Sequence, residues 1–362
     1  MLSRFKGCLV GAVVGDCIGA IYEGHYAKIQ TSLIIEKLKK LDKARENLKE
    51  GDEKPLSYTD DTAMTQSVAL SLIQKGSFDA ADMAKRFAEK FFKEPNRGYG
   101  GNIYKVFQEL EDIDPEDVFK PAAKQFNGSG SYGNGGAMRI SPAPLFAFNE
   151  NNDTKLQELV TSITRLTHTH HLAIHGAILV AHAIDQSLRC DAEVDVNKFI
   201  DDLITKLKPL EEKYVASSQD EPPTKKSVKR SLDEEETPYC AKLARMKEML
   251  QDESLQKSTI IHDLGHDVAA VSSVPAAVLS FLIATQKIPK LKDLNQFEQT
   301  IIYAISLGGD TDTIATMAGA MAGALYGIES IPETWRACCE SVNKAEKMAE
   351  DLFNLNNRSS SS

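Results

Sequence analysis

The stretch Phe5-Lys6-Gly7-Cys8-Leu9-Val10-Gly11-Ala12-Val13-Val14-Gly15-Asp16-Cys17-Ile18-Gly19-Ala20 sets a glycine at every fourth position of an apolar run. At 3.6 residues per turn, Gly7, Gly11, Gly15 and Gly19 fall on one helix face. A face without Cβ atoms lets a second backbone approach closely, so this helix is expected inside a packed helical core. The same spacing marks helix pairs in membranes, but the run is short for a span and carries Asp16. The close-packed soluble reading is the one the residues favour. An uncompensated buried Asp16 costs several kcal/mol, so it is expected to accept backbone N–H groups or to support a metal site from behind.

Working outward, Asp312 to Tyr326 is a second small-residue helix, rich in Ala, Gly and Met. Phe297 to Leu307 runs into it. Asp61 to Gln74, Phe78 to Lys93, Leu156 to Leu166 and Leu172 to Leu188 show helical texture, with Ala84, Phe87, Ala88 and Phe91 on one stripe. Val268 to Thr285 is a further helix, bent or begun near Pro275. No series of alternating strands is visible, so the expected fold class is a compact all-α domain. Residues 1–353 read as one domain. A polar insertion near 217–237, rich in Pro, Ser and clustered charge, is expected to be solvated and mobile. Leu33 to Lys54 reads as a charged surface helix plus loop, and residues 354–362 as a frayed polar tail.

Composition narrows the function. The 362 residues are 42% hydrophobic and 26% charged, ordinary for a soluble globular chain. A net charge of -10 argues against a duplex-DNA surface and is compatible with a Lys/Arg-rich protein partner. Six cysteines without a CxxC pair are expected as reduced thiols in an intracellular compartment. Nucleus, cytoplasm and mitochondrial matrix all suit them. No secretory signal peptide is visible at the start, and no membrane partner is expected.

Chemistry concentrates in two aspartate–threonine clusters. One reads Tyr58-Thr59-Asp60-Asp61-Thr62 and the other Gly308-Gly309-Asp310-Thr311-Asp312-Thr313. Either alone reads as a helix N-cap. Together, each opening a helix, they offer four carboxylates and two threonine hydroxyls as hard oxygen donors, a set that suits two Mg²⁺ ions better than Zn²⁺. Glu23, beside Gly24 on a loop, reads equally as a mobile metal ligand or as an exposed acid. Asn127 to Arg139 holds five glycines within residues 128–136. Successive N–H groups there can form an anion nest, or the segment is a hinge. Phe126 and Tyr132 flank it, and their ring faces suit an adenine and a ribose. His168, His170, His171 and His175 form a run in which His171 and His175 have helical metal spacing, without the glutamate or cysteines of a zinc motif. His168 is the best candidate for hydrogen-bonding a polar ligand.

In this order, the pieces Gly7–Gly19, Tyr58–Thr62 and Gly309–Thr313 resemble the ADP-ribosylglycohydrolase (DraG-like) family over almost the whole chain. Tyr22-Glu23 and Gly130 to Gly136 resemble its branch that acts on serine-linked ADP-ribose and poly(ADP-ribose). The resemblance implies an orthogonal helical bundle with a binuclear Mg²⁺ centre. It implies Thr59, Asp60, Asp61, Asp310, Asp312 and Thr313 as metal ligands, joined by Glu23 as a mobile ligand. It implies Ser129, Gly130, Ser131, Tyr132, Gly133, Asn134 and Gly135 as the loop at the diphosphate and distal ribose, and Phe126 as the adenine stacker. His168, Asp60 and Val268, the last within Gly265 to Val268, are further implied substrate contacts. The insertion near 217–237 departs from the family pattern.

The implied reaction breaks the bond between ribose C1″ and a serine oxygen, and the ribose–ribose bonds of the polymer. Asp310 is assigned to orient the attacking water, and Glu23 to close over the site or assist proton transfer. Implied partners are serine-modified proteins such as histones, poly(ADP-ribose), and ADP-ribose as product, with the enzyme a monomer. The competing readings are arginine-linked ADP-ribose, a catalytically silent member of the same fold, and a metal-dependent phosphatase.

Overall fold

The glycine face of the first helix is filled by a second backbone. The computed structural model describes residues 1–359 apart from 26, 48, 50, 51, 53, 112, 113, 115, 116, 192, 220–236 and 287. In it, Leu2–Gly19 runs antiparallel to Thr311–Tyr326 at the centre of the molecule. A Cβ added at Gly7, Gly11 or Gly15 would collide with the backbone carbonyl of Gly323, Gly319 or Ala315, and one at Gly19 would lie 2.5 Å from Cα of Asp312. The fit is reciprocal, since Gly319 and Gly323 face the carbonyls of Gly11 and Gly7. Leu2–Tyr22 is long and apolar enough to cross a bilayer, but 83% of its apolar window is buried inside the protein.

Other helices wrap this pair. Val342–Ser359 packs on the first helix, while Gln296–Ser306, Ala270–Thr285 and His171–Arg189 pack on Thr311–Tyr326. Asp60–Lys75 lies against Ala80–Lys93 and Val342–Ser359. The fold is therefore all-α, and the β pairing seen among the described residues consists of isolated bridges, Leu56 with Cys339 and Gly133 with Ala269. Ala270–Thr285 continues through Pro275 rather than starting there. Proline has no N–H to give the carbonyl of Val271, and Lys242 Nζ donates to that oxygen at 2.8 Å instead.

Two expectations need correction or limits. The tail expected from Asn354 is helical to Ser359. Asn356 is buried there: its amide nitrogen donates to the carbonyls of Leu145 and Leu352 at 2.8 and 2.9 Å, and its Oδ1 accepts from Asn149 N at 3.1 Å. A polar residue that composition assigns to solvent is thus an anchor. Most of the expected insertion, 220–236, lies outside the described residues. The helices on either side, Val196–Gln219 and Pro238–Gln251, are joined by buried Glu211, whose carboxylate accepts from Tyr239 N and Cys240 N at 2.9 and 3.1 Å.

The close backbone approach has a direct test. Gly11→Ala and Gly15→Ala are each expected to lower the unfolding free energy by about 3 kcal/mol or more, at the top of the overpacking range. Gly100→Ala, where a Cβ meets nothing within 4 Å, should change it by less than about 0.5 kcal/mol. Denaturant titration reads both, and near-neutral glycine replacements in the first helix would refute the packing argument.

Candidate active site

The buried acid of the glycine helix organises the first aspartate cluster. Asp16 is fully buried, and its carboxylate accepts from Thr59 N at 3.0 Å, Thr59 Oγ1 at 2.8 Å and Thr62 N at 3.1 Å. Burial pushes Asp16 up to about 6, against the hydrogen bonds from Thr62 and Thr59 that favour its charged form. Thr59 in turn caps Asp60–Lys75, its Oγ1 accepting from Asp61 N at 3.3 Å.

The second cluster sits on a turn that glycine makes possible. Gly308 and Gly309 hold φ of 72° and 75°, in the left-handed region that favours glycine. Gly309 N donates to the carbonyl of His25 at 3.0 Å and Asp310 N to that of His266 at 2.8 Å. Thr311 Oγ1 donates to the carbonyl of Gly19 at 2.9 Å, tying this turn to the end of the first helix. The two clusters meet: Thr313 Oγ1 lies 3.4 Å from Asp61 Oδ1, across 252 positions of sequence.

Their electrostatics are unfavourable. Burial, with Asp16 and Asp310 nearby, pushes Asp60 up to about 8. Burial and then Asp312 hold Asp61 well above the carboxylate range, and burial and then Asp310 do the same to Asp312. Burial and Asp310 also raise Glu23. Asp61 Oδ2 is buried without a hydrogen-bond partner. Among the described residues no group of three or more His, Cys, Asp or Glu side chains is placed to hold a metal ion as the side chains stand; the acids line an open cleft. That arrangement suits Mg²⁺, which keeps several waters and takes few carboxylates, and does not suit a four-ligand zinc site. The histidine run supplies no metal cluster either. The His171 ring stacks on Tyr214 with centroids 3.5 Å apart.

The cleft is a cavity of about 320 Å³, within the range of small-ligand pockets. Glu23, Asp60, Asp61, Asp310, Asp312 and Thr313 line one side, and Phe126, Ser131 to Gly135, His168 and Val268 another. Asn134 joins the two sides. Its N–H donates to the carbonyl of Val268 at 3.0 Å, and its amide nitrogen to Asp310 Oδ2 at 2.5 Å and Ser273 Oγ at 2.9 Å. Ala270 N donates to the carbonyl of Tyr132 at 3.0 Å, so the glycine loop is stitched to residues 268–270. At the mouth, Phe126 and Asn127 hold φ of 50° and 58°, a strained pair for non-glycine residues. This conformation leaves Phe126 half-exposed, with its ring centroid 6.2 Å from that of Tyr132. Val268 stands beside them, 68% exposed.

His168 is held neutral, pushed down to about 3 by burial and then by Arg139. Thr167 Oγ1 accepts from Arg139 Nη2 at 2.6 Å and sits 2.7 Å from His168 Nδ1. The hydroxyl keeps a second lone pair and its own proton, so it pairs with either tautomer of the ring, whose Nε2 lies beside Gly133 and Gly135.

Three expected residues do not line the cavity. The hydroxyl of Thr59 turns to Asp16. Ser129 turns back to the carbonyl of Phe126 at 3.0 Å, and Gly130 N donates to that of Gln125 at 3.1 Å, so both support the strained turn instead of facing a ligand. Conversely, the wall includes Gly98-Tyr99-Gly100-Gly101-Asn102, which sequence patterns do not place at the site although its glycine density is visible. Arg139, 1% exposed, buttresses the loop from behind through Gly135 O at 2.8 Å and Thr167.

Comparison with known proteins agrees with this geometry. A family model described as ADP-ribosylglycohydrolase matches residues 1–361. The chain is 42% identical to ADP-ribosylhydrolase ARH3 of Gallus gallus over 98% of this chain and 93% of that protein. It is 40% identical to ADP-ribosylhydrolase ARH3 of Homo sapiens over 98% and 94%. A solved structure, an ADP-ribosylglycohydrolase-related protein complex, superposes with a TM-score of 0.62 at 22% identity, covering 98% of each chain, which speaks to the fold.

The raised carboxyls carry a stability signature. Folded values above unfolded ones mean that the native chain holds more protons, so the stability they contribute is full below the ordinary carboxylate range and is lost as pH climbs through the folded values, toward about 8 for Asp60. Metal-free protein is expected to melt at falling temperature across that window, and Asp61→Asn should flatten the trend. Thermal melts in chelator at stepped pH measure it; a rising or flat wild-type curve would contradict the buried-acid picture.

Proposed function

The chain belongs to the ADP-ribosylglycohydrolase family, and we propose that it hydrolyses the bond between C1″ of ADP-ribose and a serine oxygen on modified proteins, and by the same chemistry the ribose–ribose bonds of poly(ADP-ribose). One juxtaposition carries the reading: two acid clusters meet on one wall of a cleft whose other wall offers aromatic faces and a glycine-rich loop. The raised Glu23 at the edge of that cleft favours the serine-linked form, because it matches the mobile glutamate of that branch.

Asp60, Asp61, Asp310, Asp312 and Thr313, with Glu23, are the residues that would hold two Mg²⁺ ions, while Thr59, turned to Asp16, supports them from behind. The orphaned Asp61 Oδ2 and the crowding of hard carboxylates fit them. Ions held there would offset the carboxylate repulsion, help fix the ribose and lower the pKa of a bound water. Asp310, pinned by Asn134, orients the attacking water and takes its proton. Glu23, at the edge of the cleft, closes over the site or assists proton transfer to the departing serine oxygen as positive charge spreads onto the ribose ring. The loop Ser131 to Gly135 and the His168 ring face the diphosphate, and Phe126 with Tyr132 takes the adenine. The net charge of -10 favours approach by basic, histone-like segments.

Incubating the protein with serine-linked and arginine-linked ADP-ribosyl peptides, with and without chelator, tests the reading. ADP-ribose is expected from the serine peptide and only with Mg²⁺. Asp60→Asn and Asp61→Asn should lose turnover, and Glu23→Ala should lower kcat by about 100-fold, the loss of one acid–base group, with ADP-ribose affinity little changed. Release from the arginine peptide alone would reassign the substrate. Wild-type rates in both aspartate variants would end the metal-centre reading.

A further inference from the structure

We propose that Arg97 is a positioning residue for the Asp60–Asp61 pair, bracketing the peptide of Thr59 from the side opposite Asp16; the proposal rests on the reading of these acids as Mg²⁺ ligands. Tyr58 to Asp60 is a short segment with no strand beside it at this point, and Asp60 N is an unsatisfied first-turn donor of its helix. Arg97 meets both needs. Its own carbonyl accepts from Asp60 N at 2.7 Å, and its Nη1 donates to the carbonyl of Tyr58 at 3.0 Å. One residue thus holds the groups on either side of Thr59, while Asp16 holds the N–H and hydroxyl of Thr59 itself.

The bracket is rigid because the guanidinium is locked. Nη1 and Nη2 donate to the two oxygens of Glu340 at 2.8 and 2.9 Å, and Nε donates to Glu94 Oε2 at 3.1 Å. Its Cζ lies 3.8 Å from the centroid of the Tyr58 ring, whose hydroxyl donates to Glu94 at 2.6 Å. Glu340 is anchored in turn to the same segment, since its N–H donates to the carbonyl of Leu56 at 2.9 Å and Leu56 N to that of Cys338 at 3.1 Å. Residues 56–60, 94–97 and 338–340 therefore form one closed ring of hydrogen bonds. Gly98, next in sequence, brings the ring to the cleft: a Cβ there would lie 3.7 Å from Asp60 Oδ1. A lysine at 97 keeps the charge but has one nitrogen, so it cannot hold both Glu340 oxygens, Glu94 and the Tyr58 carbonyl together.

Calorimetric titration of full-length Arg97→Lys and Glu340→Gln with Mg²⁺ alone, beside wild type and Asp61→Asn, tests the bracket. Loss of a partner behind a metal ligand weakens metal affinity roughly 10- to 100-fold. Arg97→Lys is expected to weaken Mg²⁺ binding by about tenfold or more, with Glu340→Gln following in the same direction. The Mg²⁺ dependence of kcat should shift to higher concentration and recover at saturation, with a near-native melting temperature. If Asp61→Asn loses Mg²⁺ binding while folded Arg97→Lys and Glu340→Gln bind it as wild type does, the positioning role is overturned and the ligand reading stands. If wild type binds no Mg²⁺, or Asp61→Asn binds it unchanged, the ligand reading fails and takes the bracket with it. Should Arg97→Lys not fold, Glu340→Gln decides alone.

Discussion

Direct contact between two helix backbones sets everything else in this molecule. Because Gly7, Gly11 and Gly15 meet Gly323, Gly319 and Ala315, the first helix and Thr311–Tyr326 share a fixed antiparallel register. Small residues make such a contact without losing side-chain rotamers. The register brings the end of the first helix against Asp312, and so places Asp16 on the level where the second helix begins. A slip of one turn, about 5.4 Å, would separate the acid that holds Thr59 from the turn that carries Asp310. The packing therefore decides the geometry of the cleft before any polar group contributes.

That placement has an electrostatic cost, and magnitudes show what offsets it. Two helix N-termini, of Asp60–Lys75 and Thr311–Tyr326, point at the acids. A helix end favours a nearby carboxylate by up to about 2 kcal/mol. Asp60 still sits near 8, and Asp61 and Asp312 stay well above their ordinary range, so burial and mutual repulsion exceed what the helix ends supply. Asp16 differs because three donors surround it. The acids facing the cleft have fewer partners, and Asp61 Oδ2 has none. Protons or cations are what remain to neutralise them.

Legibility in the sequence follows the range of each interaction. The glycine stripe, the Asp–Thr caps and the helical texture are local patterns, and each points to the element the structure contains. Part of the loop Gly128 to Gly136 lines the cleft, but the sequence does not say which part: whether Ser129 and Ser131 face the same way depends on the turn at Phe126 and Asn127. Nothing local in the sequence marks the roles of Arg97 and Arg139, since their partners Glu340 and Thr167 lie far along the chain. Asn356 reads as tail for the same reason. Gly98 to Asn102 is the case where a visible signal, three glycines in four residues, identifies a wall only once Asp60 is seen next to it.

The same accounting of contacts locates where the cleft can move. Asp310 and the glycine loop are held by short bonds to His266, Val268 and Asn134, between 2.5 and 3.0 Å. The bonds about Glu23 are longer, 3.4 Å from Glu23 N to the carbonyl of Ala20 and 3.3 Å from His25 N to that of Tyr22. Gly24 follows with φ of 83° and open space around it. The segment is anchored on either side, by buried Tyr22 and by the 3.0 Å bond from Gly309 N to the carbonyl of His25, so the give is confined to Glu23 and Gly24. The acids of the two clusters thus sit on firmly bonded turns, and Glu23 is the one acid of the cleft edge on a more loosely held segment.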